Sequence, residues 1–140
     1  MRLMAGLAGL LLLCAPLAGR AEDDALFQDL GGREKISAFT TDLVDRIGKD
    51  PRTAHFFVET DMGRLHDRLT DMFCHLTGEK RRYRGANMYR AHEQLGITEV
   101  AFNALVEDLE DAMNDYDVPW GTQARFLGVL APMKKLIVEK

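Results

Sequence analysis

The imidazole side chains are the groups in this sequence best suited to binding a metal ion. The histidines are His55, His66, His75 and His92. Histidine is common at protein surfaces, so a ligand has to be singled out by its surroundings. His92 stands in the segment AHEQLGI, one helical turn after Met88. An imidazole on the apolar side of a short helix offers a neutral nitrogen within walls that exclude water, which is what haem iron requires.

Other metal and nucleophile chemistries fit these residues less well. The sequence has no HExxH and no paired CxxC, the spacings typical of zinc sites. The stretch DMFCH, ending at His75, lacks the first cysteine of the CxxCH motif for covalent haem, so Cys74 is predicted to be a small buried filler. Attachment of haem through Cys74 alone and a Cys74–His catalytic pair are the weaker alternatives.

The elements that must position His92 are helices. Apolar residues recur every three or four positions throughout the chain after residue 21, and no segment alternates long enough to predict a strand. We therefore predict an all-α fold. The first predicted helix starts at Gly31-Gly32 and breaks at Gly48, and the second runs from about Met62 to Gly78. The others cover about 88–95, 98–114 and 119–138, with a bend in the last one at Pro132.

The composition predicts the domain organisation of the chain. The 140 residues, 46% hydrophobic and 29% charged, predict one globular domain, and a net charge of -4 argues against a nucleic-acid partner.

Residues 1–21 combine Arg2, a leucine-rich run and the small-residue end CAPLAGRA, which is typical of a secretory signal peptide. We predict cleavage after Ala21, a domain at 22–140, a periplasmic or secreted location and no stable membrane span after cleavage; an uncleaved anchor is the alternative.

Longer blocks of sequence resemble a known family. In order they are LFQDLGGREKI, DPRTAHFF, DMGRLHDRL and YRGANMYRAHEQLGIT, and they extend from about Leu26 to the C-terminus. Together these blocks resemble the truncated haemoglobins, most closely their first group. The resemblance implies a two-over-two helical sandwich that encloses haem b, with His92 as the proximal iron ligand.

The resemblance also implies which other side chains contact the haem. Phe57 matches an aromatic residue that packs on the porphyrin, and Arg68 matches a basic residue near a propionate, as Tyr83 and Arg84 also do. For the apolar members of the set, ordinary core packing is the alternative. The remaining matches are Leu65, Leu69 and Phe73 on the distal side, Met88 and Ile97 on the proximal side, and Phe102 at the inner edge.

The sequence departs from the family where a bound gas would be stabilised. The family's Phe-Tyr pair falls on Leu43-Val44, and its distal glutamines fall on Leu65 and Leu69. One hydrogen-bond donor to a polar gas ligand contributes roughly 1–3 kcal/mol in a low dielectric. Loss of a donor would therefore speed oxygen release about ten- to a hundredfold. The polar groups that could replace these donors are His66, which could also ligate iron, Arg68, Thr40 and Thr41.

These residues predict an exported haem b protein that binds oxygen, CO or NO, with a reductase as a possible partner. One alternative is a haem enzyme, either a nitric oxide dioxygenase or peroxidase-like, although peroxide cleavage needs a distal acid–base group. The sequence is also compatible with a protein that moves haem across the periplasm and with a haem-free helical interaction domain. Fold alone does not choose among these functions.

Overall fold

The protein is described by a computed structural model that covers residues 24–85 and 87–139. The predicted signal peptide at 1–21 lies outside these residues. Every regular element within them is helical, as predicted. The helices are α1 (Ala25–Asp29), α2 (Gly32–Lys49), α3 (Met62–Thr77), α4 (Met88–His92), α5 (Glu99–Asp115), α6 (Trp120–Leu130) and α7 (Lys134–Ile137), with 3-10 turns at Ala54–Phe57 and Ala131–Met133.

Local sequence signals determine where the long helices begin and end. The Asp61 carboxylate accepts the backbone N–H of Arg64 at 3.0 Å at the start of α3, and Gly78, with φ +122°, ends that helix. Thr98 caps α5 by accepting the N–H of Ala101 at 3.1 Å with its hydroxyl oxygen. Gly31, with φ +95°, turns the chain from α1 into α2.

Two predicted helices differ from the structure. The predicted helix at 88–95 ends at His92, because Gln94 and Gly96 adopt left-handed conformations with φ +65° and +67°. The predicted helix at 119–138 is divided into α6 and α7 by a 3-10 turn that contains Pro132. Proline has no N–H and its ring clashes with the preceding turn. Pro132 therefore interrupts the helix at the point where a bend was predicted.

The core lies where α2, α3 and α6 meet. Helix α2 packs along both α3 and α5, and α6 crosses to contact α1, α3 and α5. Phe126 of α6 packs edge-on against Phe73 at 5.1 Å between ring centroids and lies 6.4 Å from Phe39. All three rings are buried, so this aromatic cluster holds α2 and α3, which carry the candidate distal residues, against α6. None of the described helices is long and apolar enough to cross a membrane.

Candidate functional site

His92 is held in one orientation by its own helix. It is the last residue of α4 and is partly buried. Its Nδ1 lies 2.7 Å from the carbonyl oxygen of Met88. A carbonyl only accepts hydrogen bonds, so Nδ1 carries the proton and Nε2 keeps its lone pair. A histidine with Nδ1–H bonded to a backbone carbonyl and a free Nε2 has the donor chemistry that an iron ligand needs.

The loop after His92 is fastened by the C-terminal segment. The Glu139 carboxylate accepts the N–H of Gly96 at 3.0 Å, and the Glu139 N–H donates to the carbonyl of Ile97 at 2.9 Å. Nearby, Lys134 forms an ion pair with Glu99 at 2.6 Å and lies 5.8 Å from the centre of the Phe102 ring. Sequence reasoning missed Glu139, because no local pattern connects residues 43 positions apart.

Most of the residues predicted to surround the cofactor pack against the hydrophobic core. These residues are partly buried, and Phe73 lies within the core. Ile97 and Phe102 are also partly buried. Their contacts with haem stay a prediction, since core packing accounts for Phe73 equally well. The residues that pack on the core in this way are Phe57, Leu65, Leu69, Tyr83 and Met88.

Three of the four polar groups considered for the distal side, His66, Thr40 and Thr41, have other partners. The Nε2 of His66 lies 3.0 Å from the carbonyl oxygen of Ser37, and its Nδ1 lies 3.0 Å from Asp67. Thr40 donates its hydroxyl proton to the carbonyl of Ile36 at 2.7 Å, and Thr41 makes the same type of bond to Ser37 at 3.1 Å. These groups are therefore used to join α2 to α3 or to satisfy α2 itself.

A cavity of about 490 Å³ opens between α2 and α3 beside Val44. Val44 and Met62 line it together with Gly48 and Gly63. The absence of side chains at the two glycines keeps the helices from filling this space. Val44 is therefore the buried residue of α2 that borders this cavity.

A second cavity, of about 410 Å³, lies at the end of α3 and is lined by charged residues. Tyr83 stacks on His75 at 5.1 Å between ring centres, and burial raises the pKa of its phenol. A Cβ at position 85 would overlap the tip of the Tyr83 ring, so a larger residue at position 85 would displace that ring. The structure brings Arg68, Tyr83 and Arg84 together in one cavity, which differs from the cavity beside Val44. Their place near a haem propionate stays a prediction.

Comparisons with known proteins identify the family. The family model of the bacterial-like globins matches residues 25–139. The group 1 truncated hemoglobin GlbN of Mycolicibacterium paratuberculosis is 30% identical over 114 residues, which covers 81% of this chain and 84% of that protein. The chain belongs to the truncated haemoglobins. A group 1 truncated hemoglobin of Tetrahymena pyriformis is 29% identical over 93 residues, or 66% of this chain and 77% of that protein.

Solved structures agree with the fold. The crystal structure of the Tetrahymena pyriformis truncated hemoglobin in its Fe(III) form has a TM-score of 0.79 and 26% identity, covering 82% of this chain and 98% of that one. The 2/2 hemoglobin of Synechococcus sp. PCC 7002, described with covalently attached heme, has a TM-score of 0.76 at 23% identity. The two-over-two sandwich predicted from the sequence is confirmed. As a truncated haemoglobin, this chain takes haem b as its cofactor, and the donor chemistry of His92 fits that group.

Proposed function

We propose that this truncated haemoglobin is exported and binds a diatomic gas at iron held by His92, opposite an apolar distal side. Oxygen, CO and NO are the candidate gases. The observation that carries the proposal is the 2.7 Å hydrogen bond from Nδ1 of His92 to the Met88 carbonyl, which leaves Nε2 available. When bound, haem supplies an iron atom with a coordination position open to a gas.

The residues around His92 would tune this ligand. The Met88 carbonyl fixes the rotation of the imidazole and increases the basicity of Nε2 by drawing on the Nδ1 proton. Glu139 limits movement of the loop at Gly96, a short distance along the chain. Together these contacts hold Nε2 in one direction before haem arrives, which lowers the ordering cost of binding.

The distal side would be apolar. Leu43 and Val44 are buried on α2, and Leu65 and Leu69 are partly buried on α3. Side chains without donors exclude water but give no hydrogen bond to a polar ligand, so oxygen would be retained less well than CO or NO. His66, which bonds Ser37 and Asp67, is not free to act as a distal acid–base group, and this favours gas binding over a peroxidase-like reaction.

Export rests on the sequence of residues 1–21 alone. The test is the intact mass of the protein recovered from the periplasm of a Gram-negative bacterial host. A mass that matches a chain starting at Glu22 would support cleavage after Ala21. A full-length chain found only in the cytoplasm would refute export and leave the haem proposal untouched.

The test of the iron ligand is an optical titration with haem in the ferric, ferrous and ferrous-CO states. We expect the protein to bind one equivalent of haem and CO rapidly, and His92→Ala to lose the haem-ligand spectrum. His55→Ala serves as the matched control, because this histidine is exposed. An unchanged spectrum in His92→Ala, or no stoichiometric haem in the parent protein, would overturn the proposal.

A further inference from the structure

The loop that follows α3 carries Tyr83 and Arg84, two residues of the predicted propionate site. It has no regular secondary structure from Glu79 to Gly85. Within the described ranges 24–85 and 87–139, no backbone group of residues 80–85 is hydrogen-bonded to another backbone group. A segment held by so few bonds opens at little cost, so the positions of Tyr83 and Arg84 depend on the contacts that fasten its first residue.

Arg33 of α2 holds that first residue, Glu79. Its Nε and Nη2 donate to the two carboxylate oxygens of Glu79 at 2.8 and 2.6 Å. Paired, charge-assisted bonds of this kind are stronger and more directional than a single bond. Water screens the pair only in part, because the side chains of Arg33 and Glu79 are 31% and 13% exposed. The Glu79 N–H also donates to the carbonyl of Cys74 at 2.9 Å, so the start of the loop is bonded to both α2 and α3.

The same guanidinium neutralises the acids of the cavity. Its Nη1 donates to Asp71 at 2.8 Å, so Arg33 pairs with both carboxylates that line this space. Arg33 holds the pKa of Glu79 below its usual range, and Glu79 therefore stays charged and paired. This pairing leaves Arg68 and Arg84, which line the same cavity, to the anionic propionates that the resemblance assigns to them.

We infer that Arg33 is a positioning residue for the haem propionates and acts through Glu79. All three guanidinium nitrogens are used in the bonds to Glu79 and Asp71, so Arg33 affects the propionates by placing the loop rather than by contacting them. A loop that is already in place lowers the ordering cost of haem binding. The inference rests on haem b as the cofactor and on the predicted place of its propionates, and it does not involve the iron ligand.

The test compares the loss of haem b with the loss of haem dimethyl ester, in which both propionates are uncharged. Each haem-loaded protein is mixed with excess apomyoglobin, and haem transfer is followed optically. We expect Arg33→Gln to speed the loss of haem b about tenfold, because two bonds to a charged group are removed. Loss of the ester should change about twofold or less, since the ester has no charge for the loop to hold.

Two further variants make the comparison specific. Arg33→Lys keeps the charge but cannot form parallel bonds to both oxygens of Glu79, so we expect it to speed the loss of haem b only about threefold. Arg125→Gln is the matched control, because it removes an exposed arginine–carboxylate pair that joins α6 to α1, Arg125 with Asp29 at 2.7 Å. We expect it to change both rates about twofold or less.

Three results would overturn the inference. Equal acceleration of haem b and ester loss by Arg33→Gln would mean that Arg33 supports the fold as a whole. Unchanged loss of haem b in both Arg33 variants would mean that the loop is held without this residue. Equal loss of haem b and ester from the parent protein would mean that the cavity does not bind the propionates. The His92→Ala spectrum tests the iron ligand and not the propionates, so failure of the proposed function is distinguishable from failure of this inference.

Discussion

At the scale of the residue, the type and neighbours of His92 were enough to single it out as the candidate iron ligand, but not to assign its proton. A ligand histidine needs apolar neighbours, and Met88 and Ile97 are visible in the sequence. The proton position depends on the distance from Nδ1 to the Met88 carbonyl, 2.7 Å, which only folding of α4 establishes. The roles of His66 and Thr40 were likewise left open by the sequence, because helix rotation decides which partner each reaches.

Val44 is the residue at which the proposed gas selectivity is most directly tested. It is buried on α2 at the position that matches the family's tyrosine, and it borders the cavity of about 490 Å³ between α2 and α3. We expect Val44→Tyr to place a phenolic donor on the distal side and to slow oxygen release about ten- to a hundredfold. Stopped-flow displacement of oxygen by CO measures this rate.

Val44→Phe is the matched control, since it adds the same ring without the hydroxyl. We expect its oxygen release rate to stay within about threefold of the parent, because ring bulk supplies no hydrogen bond. CO release should change little in either variant. Equal slowing by tyrosine and phenylalanine would show that bulk, rather than a lost donor, governs oxygen retention at this position.

At the scale of the element, the long helices were predicted within a few residues and the short ones were not. Helices α3 and α5 carry Asp61, Gly78 and Thr98, whose capping preferences mark their ends. Helix α4 has five residues, too few to be stable alone, so its form depends on packing against α7. Contacts between segments distant in sequence leave no periodic signal. The hydrogen bonds from Glu139 to the loop at Gly96 and Ile97 were therefore not predicted.

Because α4 and the loop after it depend on contacts with the C-terminal segment, a residue far from His92 in sequence is predicted to affect haem retention. Glu139→Ala removes the 3.0 Å bond from the Gly96 N–H to the carboxylate and loosens the loop that follows α4. One hydrogen bond to a charged group contributes about 1.5–3 kcal/mol, so we expect haem to leave about tenfold faster. Transfer of haem to excess apomyoglobin, followed optically, gives the rate.

Lys135→Ala tests whether any change near the C-terminus has this effect. Lys135 lies on α7 and is exposed, and its truncation should leave haem loss within about twofold of the parent. An unchanged rate in Glu139→Ala would mean that the Gly96 loop does not limit haem release. The backbone bond from Glu139 to Ile97 would then be sufficient to hold it.

At the scale of the whole molecule, the helical class followed from the apolar spacing, whereas the arrangement of helices followed only from the resemblance. Spacing shows which face of each helix is buried but not which helix covers it. The contact of Phe126 with Phe73 and Phe39 joins three helices and could not be read from any one of them. The contact between the carboxyl groups of Asp50 and Asp108 could not be predicted either, because these residues meet only in the folded chain.

Asp108 gives the molecule a predicted dependence of stability on pH. Its side chain is buried on α5 beside Asp50, which is paired with Arg52 at 2.9 Å. Burial, followed by a hydrogen bond in which protonated Asp108 donates to Asp50, raises the pKa of Asp108 to about 6. Arg52 holds the pKa of Asp50 well below its usual range, so Asp50 remains the acceptor.

The sign follows from proton uptake. Between the ordinary pKa of an aspartate and about 6, the folded state holds more protons at Asp108 than the unfolded state, so stability falls as pH rises through this window.

Asp108→Asn keeps an N–H donor to Asp50 and cannot ionise. We expect the variant to gain about 1–3 kcal/mol over the parent on going from pH 4 to pH 7, and Glu110→Gln on the same helix to gain little. Thermal unfolding of the haem-loaded proteins, followed by circular dichroism at each pH, measures the difference. Parallel curves for Asp108→Asn and the parent would mean that Asp108 is ionised in the fold and that water or Arg52 compensates its charge.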